Sequence, residues 1–536
     1  MSQLKLTFYD GAGTIGGNRF LLEAGDTSLF LDFGTSFKKE AQFFDEFLKP
    51  RSTAGVEDLI ELGLLPPLEG TYRKDLEVPE RRIWERFGGR PQYRRFRPDA
   101  VLLSHGHMDH SGYISFLDPT IPVLTGTTTA FLTKAIQDTN SSGQEREVCY
   151  YSAREAKDGI LRTQRMAPNS HRKFTLLDCP QNSQAEQGFW AECDSSRGLE
   201  PVPPTLCDGP EMAVGDLVVR YFPVDHSIPG AGAFAIKTPA GWIVYTGDLR
   251  LHGSHSASTR KFIDEVAGLQ PLVLLCEGTH PGTTKPVAES SVRDRAEEAI
   301  AKEPGLVIAD FGARNIERLL LFAEAADACG RRLAITTKDA HLLRALEAAG
   351  EEGAPDLLGD RRIAVYARQK GSIQRWETSL LSRLEGISGK VVTAREMRDD
   401  PASYVLCFSF YDLPDLVDIR PAHGTYIYSS SEAFNEETHI DLDRLRNWIA
   451  HFGLVLAGDP GDRAGRGREQ GFHASGHIHG PGIVELVEKV KPEVLVPIHT
   501  ESHDFFEQHF GAGQPAGGPG HLPRLVIPHE GYVLAL

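Results

Sequence analysis

The sequence predicts an α/β protein built as one fold nested inside another. Three observations carry this. In the first 250 residues, apolar runs of strand length end in loops rich in His and Asp. From about residue 256 the pattern changes to alternating helical and β-rich runs. A final helix–strand pair at 482–498 then leads to another histidine, His499. The chain has 536 residues, and domains usually run about 100–200 residues, so two large domains or one domain with a large insertion are expected.

The elements follow in order. Residues 3–9 and 27–33 read as strands, with glycines 11, 13, 16 and 17 supplying the tight turn after the first. Residues 36–98 have no clean period and contain Pro66, Pro67 and Pro79, so they read as a lid-like insertion. Within them, 81–97 holds seven arginines and four aromatics, a composition that grips phosphates and stacks bases when it is not a solvated face. Val101–Leu103 is a short buried strand. A second irregular stretch, 139–205, reads as another insertion. Strands resume at 216–224, 232–237 and 242–246. Beyond them come the helices 291–302 and 316–328 and the strands 305–310, 333–337, 404–408 and 426–429. The stretch 511–520 reads as a loop.

Composition excludes several classes. With 57 basic and 74 acidic side chains the formal net charge is 57 − 74 = −17, which argues against a general basic coat for nucleic acid and confines such binding to a local strip or cleft. Seven scattered cysteines without a CxxC pair argue against a disulfide framework and a thiolate zinc site. No apolar run approaches the roughly 18 residues that span a bilayer. The start lacks the features of a secretion signal, so a cytoplasmic location without membrane attachment is expected.

The chemistry concentrates at Ser104-His105-Gly106-His107-Met108-Asp109-His110, at the end of a strand. Three imidazoles and one carboxylate within six residues are hard to explain as packing. Neutral imidazole and carboxylate are the donors that zinc and other borderline cations take. His105 and His107 alternate in an extended segment and point one way; the turn through Asp109 and His110 brings two more donors alongside, which suits two metals. Further strand ends supply Asp225-His226 and Thr246-Gly247-Asp248. Either alone reads as a turn or cap; as a set they complete a ligand shell, with Asp248 as the bridge.

This pattern resembles the metallo-β-lactamase fold. The resemblance implies His105, His107 and His226 as ligands of a first metal, Asp109 and His110 as ligands of a second, Asp248 between them and Asp32 as a supporting group behind the loop. The remaining ligand is His499, which lies 499 − 248 = 251 residues beyond Asp248. An α/β domain therefore sits inside the hydrolase fold, as in the β-CASP nucleases. Leu275-Cys276-Glu277-Gly278-Thr279, His473-Ala474-Ser475-Gly476-His477 and Pro497-Ile498-His499 match that group's motifs in order. Asn315-Ile316-Glu317-Arg318, Tyr428-Ser429-Ser430-Ser431 with Asn435-Glu436, and Lys491-Pro492 leading to His499-Thr500-Glu501 are similar to the ribonuclease J branch. The implied fold is an αββα sandwich with an inserted β-CASP α/β domain: 1–255 and 469–536 for the sandwich, 256–468 for the insert. The two insertions are longer than expected for ribonuclease J, and the further C-terminal domain usual there looks absent.

The resemblance further implies a metal-dependent hydrolase, a ribonuclease acting on single-stranded RNA. Zn2+ is the first choice for the two divalent ions and Mn2+ the second. Such ions acidify water near neutral pH and neutralise charge growing on a phosphoryl group. Protonating the leaving 3′ oxygen falls to His477, oriented by Glu277. Asp109 joins them in the catalytic set. Ser475, Gly476, Arg94 and Arg95 are the candidate phosphate and substrate contacts. Oligomeric state stays open, a homodimer included. Two other classes compete: a small-molecule hydrolase (nucleotide phosphodiesterase, esterase or lactonase), and a scaffold with a degenerate site, whose mark, lost ligands, is missing.

Overall fold

A computed structural model describes the chain apart from residues 1–3, 46, 141–142, 179–183, 194–197, 208, 210, 313, 431–435, 462–468, 470 and 512–521, with side chains also left out at 184–187 and 436–438. Asn435, the side chain of Glu436 and nearly all of the 511–520 loop lie outside the described residues.

Two sheets face each other. The first has eight strands in the order Thr205–Leu206, Phe174–Leu176, Val123–Thr125, Ala100–Leu102, Thr27–Leu31, Arg19–Ala24, Leu4–Asp10 and Val533–Ala535. The second has seven: Glu211–Val214, Leu217–Pro223, Gly232–Thr238, Gly241–Tyr245, Val273–Glu277, Val494–Ile498 and Arg524–Leu525. Period-2 alternation sends Leu4, Leu6, Phe8, Leu29 and Leu31 of the first against Phe234, Ile236, Ile243, Leu275 and Val496 of the second. Each such side chain contributes about 1.5–3 kcal/mol by leaving water. Helices Ser256–Leu269, Gly480–Val490 and His503–Phe510 cover the outer face of the second sheet through Phe262, Ile263, Leu486, Val487 and Phe506. The layers are therefore αββα.

A third sheet of seven strands, all parallel, has the order Val391–Val392, Ile363–Tyr366, Arg332–Thr336, Tyr404–Cys407, Leu306–Asp310, Gly424–Tyr428 and Leu454–Ala457. It is spliced between Val273–Glu277 and Val494–Ile498, which pair side by side in the second sheet although more than two hundred residues of sequence separate them.

Three expectations change. The insert does not begin at 256, because Ser256–Leu269 packs on the second sheet and Val273–Glu277 is one of its strands. The 36–98 insertion is not a loose lid: Val56, Leu59, Leu64, Leu65, Leu68, Leu76, Ile83 and Phe87 are buried with Leu21, Phe30 and Val101 on the outer face of the first sheet. The 139–205 stretch is not merely irregular, since Phe174–Leu176 and Thr205–Leu206 extend that sheet in parallel. Short strands without a period gave no sign of this.

The insert is fastened to the sandwich where helix Thr127–Thr139 meets helix Thr337–Ala349. There Lys134 Nζ lies 2.8 Å and His341 Nε2 3.1 Å from Asp138 Oδ2, and the Tyr150 hydroxyl donates to Asp138 Oδ1 at 2.8 Å. All four residues are buried. Burial alone would raise the Asp138 pKa, but Lys134 and His341 outweigh it and hold the carboxyl at about 2. Because the folded-state value is depressed, this stabilisation is present above the ordinary carboxylate range and is lost as pH falls from about 4 towards about 2. Asp138→Asn strands buried Lys134 and should cost about 3–5 kcal/mol in urea unfolding at neutral pH; a loss under about 1 kcal/mol would show that the clamp is incidental.

Candidate metal centre

Every expected ligand sits at the C-terminal end of a strand. Ala100–Leu102 runs parallel to Thr27–Leu31 and opens into His105–His110. In the second sheet, Leu217–Pro223 leads to His226, Gly241–Tyr245 to Asp248 and Val494–Ile498 to His499. These three strands share one direction, so their ends reach one edge of the sandwich.

Two donor sets form there and share Asp248. In the first, His107 Nδ1 lies 3.0 Å from His105 Nε2 and 3.2 Å from His226 Nε2, and Asp248 Oδ2 lies 3.7 and 3.8 Å from His105 and His226. In the second, His499 Nε2 is 3.2 Å from Asp109 Oδ2, and His110 Nε2 is 3.2 Å from Asp248 Oδ2. Ligands about 2.0–2.1 Å from a tetrahedral zinc stand roughly 3.3 Å apart, so both sets fit divalent cations. Asp248 Oδ1 and His110 Nε2 are buried and make no hydrogen bond, which is costly unless a cation meets them.

The second nitrogen of each ring explains why the first is free. Asp32 Oδ2 lies 2.6 Å from His110 Nδ1, placing the proton there and leaving Nε2 as a donor. Asp32 also accepts from the Ser104 amide and hydroxyl, each at 2.7 Å, and from the Tyr245 hydroxyl. His226 Nδ1 donates to the Gly476 carbonyl at 2.6 Å. His499 Nδ1 donates to Thr279 Oγ1 at 2.8 Å, and Thr279 donates to Glu277 Oε2 at 2.9 Å. These outer partners fix tautomer and ring direction. Two of the residues take left-handed backbone, Asp32 at φ 55° and His499 at φ 50°, a conformation costing about 1–3 kcal/mol each. Gly34 lacks a side chain because a Cβ there would lie 1.7 Å from the Asp109 carbonyl oxygen.

Charge follows the same plan. Burial first, then neighbouring rings, push His105 and His226 well below the usual imidazole value, and His107 falls to about 4, so all three stay neutral. Burial alone would lower His110, but Asp248, Asp109 and Asp32 carry it well above. Asp109 is held below the carboxylate range by His110 and His499 against the pull of burial.

His477 adjoins the two sets, and with Asp248, Glu277 and His499 it makes a further group able to hold a metal. Its Nδ1 lies 3.1 Å from Glu277 Oε2 and 3.8 Å from Asp248 Oδ2, and its side chain keeps 20% exposure while Glu277 has none. Burial would lower its pKa; Glu277 and Asp248 override that and raise it to about 9. Ser475 Oγ accepts from the His477 amide at 3.1 Å. At Gly476 a Cβ would meet Ser227 and His226. Both residues therefore shape the loop that carries His477.

Arg94 and Arg95 are not brought to this edge. Arg94 pairs with Glu23 at 2.6 Å, beside the start rather than the end of the strand that delivers His105. Arg95 pairs with Glu69, Arg81 and Arg86 with Glu57, and Arg90 with Glu61, at 2.7–2.9 Å. Arg86 and Arg90 lie over Phe87, and Arg94 over Phe96. The arginine run is thus an internally neutralised surface, corrected by glutamates distant in sequence.

The sequence reading missed Arg250. This buried guanidinium reaches Asp225 at 3.0 Å, Glu289 at 3.4 Å, the Ser475 carbonyl at 3.4 Å and Glu317. Arg318 continues the chain to Glu289 at 2.7 Å and to the Ser429 and Phe472 carbonyls. Its only sequence signal was its place two residues after Asp248.

An αββα sandwich with two His/Asp sets at one edge, joined by an aspartate and interrupted by a parallel-sheet domain, is the metallo-β-lactamase fold with a β-CASP-type insertion. Among known proteins, the chain is homologous to ribonuclease J proteins. That of Sinorhizobium meliloti is 25% identical over 327 residues, 59% of this chain and 51% of its own length. That of Corynebacterium glutamicum is 23% identical over 461 residues, 83% and 50%. That of Mycolicibacterium smegmatis is 26% identical over 456 residues, 82% and 64%. The chain thus matches about half to two thirds of the length of these relatives. A crystal structure of a protein of unknown function from Enterococcus faecalis V583 shares the fold, with a TM-score of 0.63 and 21% identity over all of both chains. No family model matches. Among the described residues, no helix is long and apolar enough to cross a membrane.

Removing the Asp32 carboxylate frees the His110 ring and the Ser104 loop together. Asp32→Ala should weaken metal binding about 10–100-fold, read by chelator competition; unaltered affinity would assign Asp32 to folding alone.

Proposed function

We propose that this protein hydrolyses phosphodiester bonds in single-stranded RNA, using two divalent cations held by His105, His107 and His226 on one side and Asp109, His110 and His499 on the other, with Asp248 shared. The observation that carries this is the pairing of a fully buried Glu277 with a partly open His477 beside two intact donor sets. The name of the homologous proteins, ribonuclease J, supports RNA as the substrate class. Zn2+ suits the donors best and Mn2+ next.

The bound cations supply an acidified water and charge neutralisation at the phosphoryl group. The chain supplies the rest. Buried ligands exclude bulk water and keep three imidazoles neutral. His477, kept protonated at neutral pH by Glu277, donates a proton to the departing 3′ oxygen. Glu277 also receives the Leu249 amide at 2.8 Å, so its carboxylate is held from a second side.

Purified protein given 5′-monophosphate or 5′-triphosphate single-stranded RNA with zinc or manganese should cut it, and Asp109→Ala should not. Absence of metal-dependent cleavage of either RNA sinks this reading, and hydrolysis of only a small phosphodiester or ester would favour the small-molecule alternative. His477→Ala should keep both metals and lose about 10²–10⁴-fold in turnover; loss of a metal would make His477 a ligand instead. A general acid needs its proton, and Glu277 raises the pKa of His477. Glu277→Gln should therefore move the alkaline limb of the pH–rate profile to lower pH, and an unmoved limb would separate the two residues.

A further inference from the structure

Within the 36–98 segment lies an open cleft of about 450 Å³ that shares no residue with the metal centre. Clefts of roughly 300–1,000 Å³ are the size that admits small ligands. Arg82, in left-handed backbone at φ 46°, sets its corner, with the turn Pro79–Arg81 on one side and helix Ile83–Phe87 on the other. Val78 and Ile83, both buried, line the cleft with apolar surface, and Trp84 and Tyr93 line it with rings. Both rings are held in place. Tyr72 stacks parallel to Trp84, with planes 2° and centroids 6.3 Å apart, and Phe87 meets it edge-on at 6.4 Å. The Tyr93 hydroxyl donates to Glu69.

The charges in the cleft do not balance. Glu69, Glu77 and Glu85 face two guanidiniums, Arg82 and Arg95. Arg95 pairs with Glu69 at 2.9 Å and Arg82 with Glu85 at 3.6 Å. Glu77 is left half-buried, without an ion pair among the described residues. Burial raises its pKa, and Trp84 acts against that. A partly desolvated carboxylate is stabilised by a cation that donates a hydrogen bond to it. Tyr and Trp faces attract the same cations, Trp most strongly. An anion would meet an unpaired carboxylate, while both arginines are already engaged.

We propose that this cleft binds a small organic cation, a primary ammonium on an apolar body, with Glu77 as its counter-ion and Trp84 and Tyr93 as its aromatic contacts. The proposal does not depend on the phosphodiesterase reading, because cleft and metal centre have no residue in common.

The test is calorimetric titration of the full chain with phenethylamine. Phenylethanol serves as the uncharged counterpart, and adenosine monophosphate as an anion able to stack on the same rings. Phenethylamine should bind at one site per chain, and phenylethanol about tenfold more weakly or worse. Glu77→Gln should weaken phenethylamine about tenfold or more, and Trp84→Phe about three- to tenfold. A chain of charge −17 attracts cations over its whole surface, so the control is Glu155→Gln, which removes an exposed carboxylate outside the cleft. It should change affinity less than about twofold. Each variant is first checked for an unchanged unfolding temperature. Hydrogen exchange of the wild-type chain locates the ligand without any substitution, and phenethylamine should slow exchange within 69–95. No saturable binding of phenethylamine, or equal binding of phenylethanol, overturns the site. So does an affinity that Glu77→Gln leaves unchanged or that Glu155→Gln lowers as much, or protection confined to segments outside 69–95. Adenosine monophosphate bound more tightly than phenethylamine, and released by Trp84→Phe, would make the cleft a nucleotide site instead.

Discussion

The Asp32 carboxylate is the point on which the metal edge turns. It ends a strand of the first sheet, receives the Ser104 amide and hydroxyl of the ligand loop, receives the Tyr245 hydroxyl of the second sheet and holds the His110 ring. One fully buried anion thus ties the two layers of the sandwich to the loop that carries four ligands. Burying a carboxylate is costly unless it is fully hydrogen-bonded, and here the requirement is met by groups from both sheets. The left-handed backbone at Asp32 persists because those contacts over-determine it. The Thr279–Glu277 relay does the same for His499 at the far end of the chain.

The inserted domain is attached at two places of different character. The Asp138 clamp joins helices Thr127–Thr139 and Thr337–Ala349. The Arg250–Arg318 chain runs through the site itself: Asp225 precedes a ligand, Arg250 follows another, and the Ser475 carbonyl belongs to the loop bearing His477. Glu289 and Glu317 of the insert complete it. The seating of the insert and the geometry of the metal edge therefore share hydrogen-bond partners. A change in one is felt by the other without any moving part between them.

The grouping of candidate donors was legible because they crowd into His105–His110 and because the rest follow recognisable strands, so short-range pattern was enough. The order of three short motifs then exposed the nested topology. What was not legible depended on pairings across long stretches of sequence. The arginines of 81–97 read either as a solvated face or as a nucleic-acid strip, because Glu23, Glu57, Glu61 and Glu69, which neutralise them, lie elsewhere. Beyond its place after Asp248, Arg250 carried no signal, because its four partners are scattered from 225 to 475. The boundary at 256 was misplaced because an amphipathic helix reads alike on either side of a domain junction. The packing of 36–98 was hidden because its apolar residues follow no single period.

The splice also sets a schedule. His105 and His499 are 499 − 105 = 394 residues apart in sequence, yet both belong to the same ligand edge. At about 5–20 residues per second, a ribosome needs roughly 20–80 s to pass from one to the other. During that interval the nascent chain carries a half-built ligand loop without the histidine that completes it. The candidate metal edge is therefore completed only when the last part of the chain has been made.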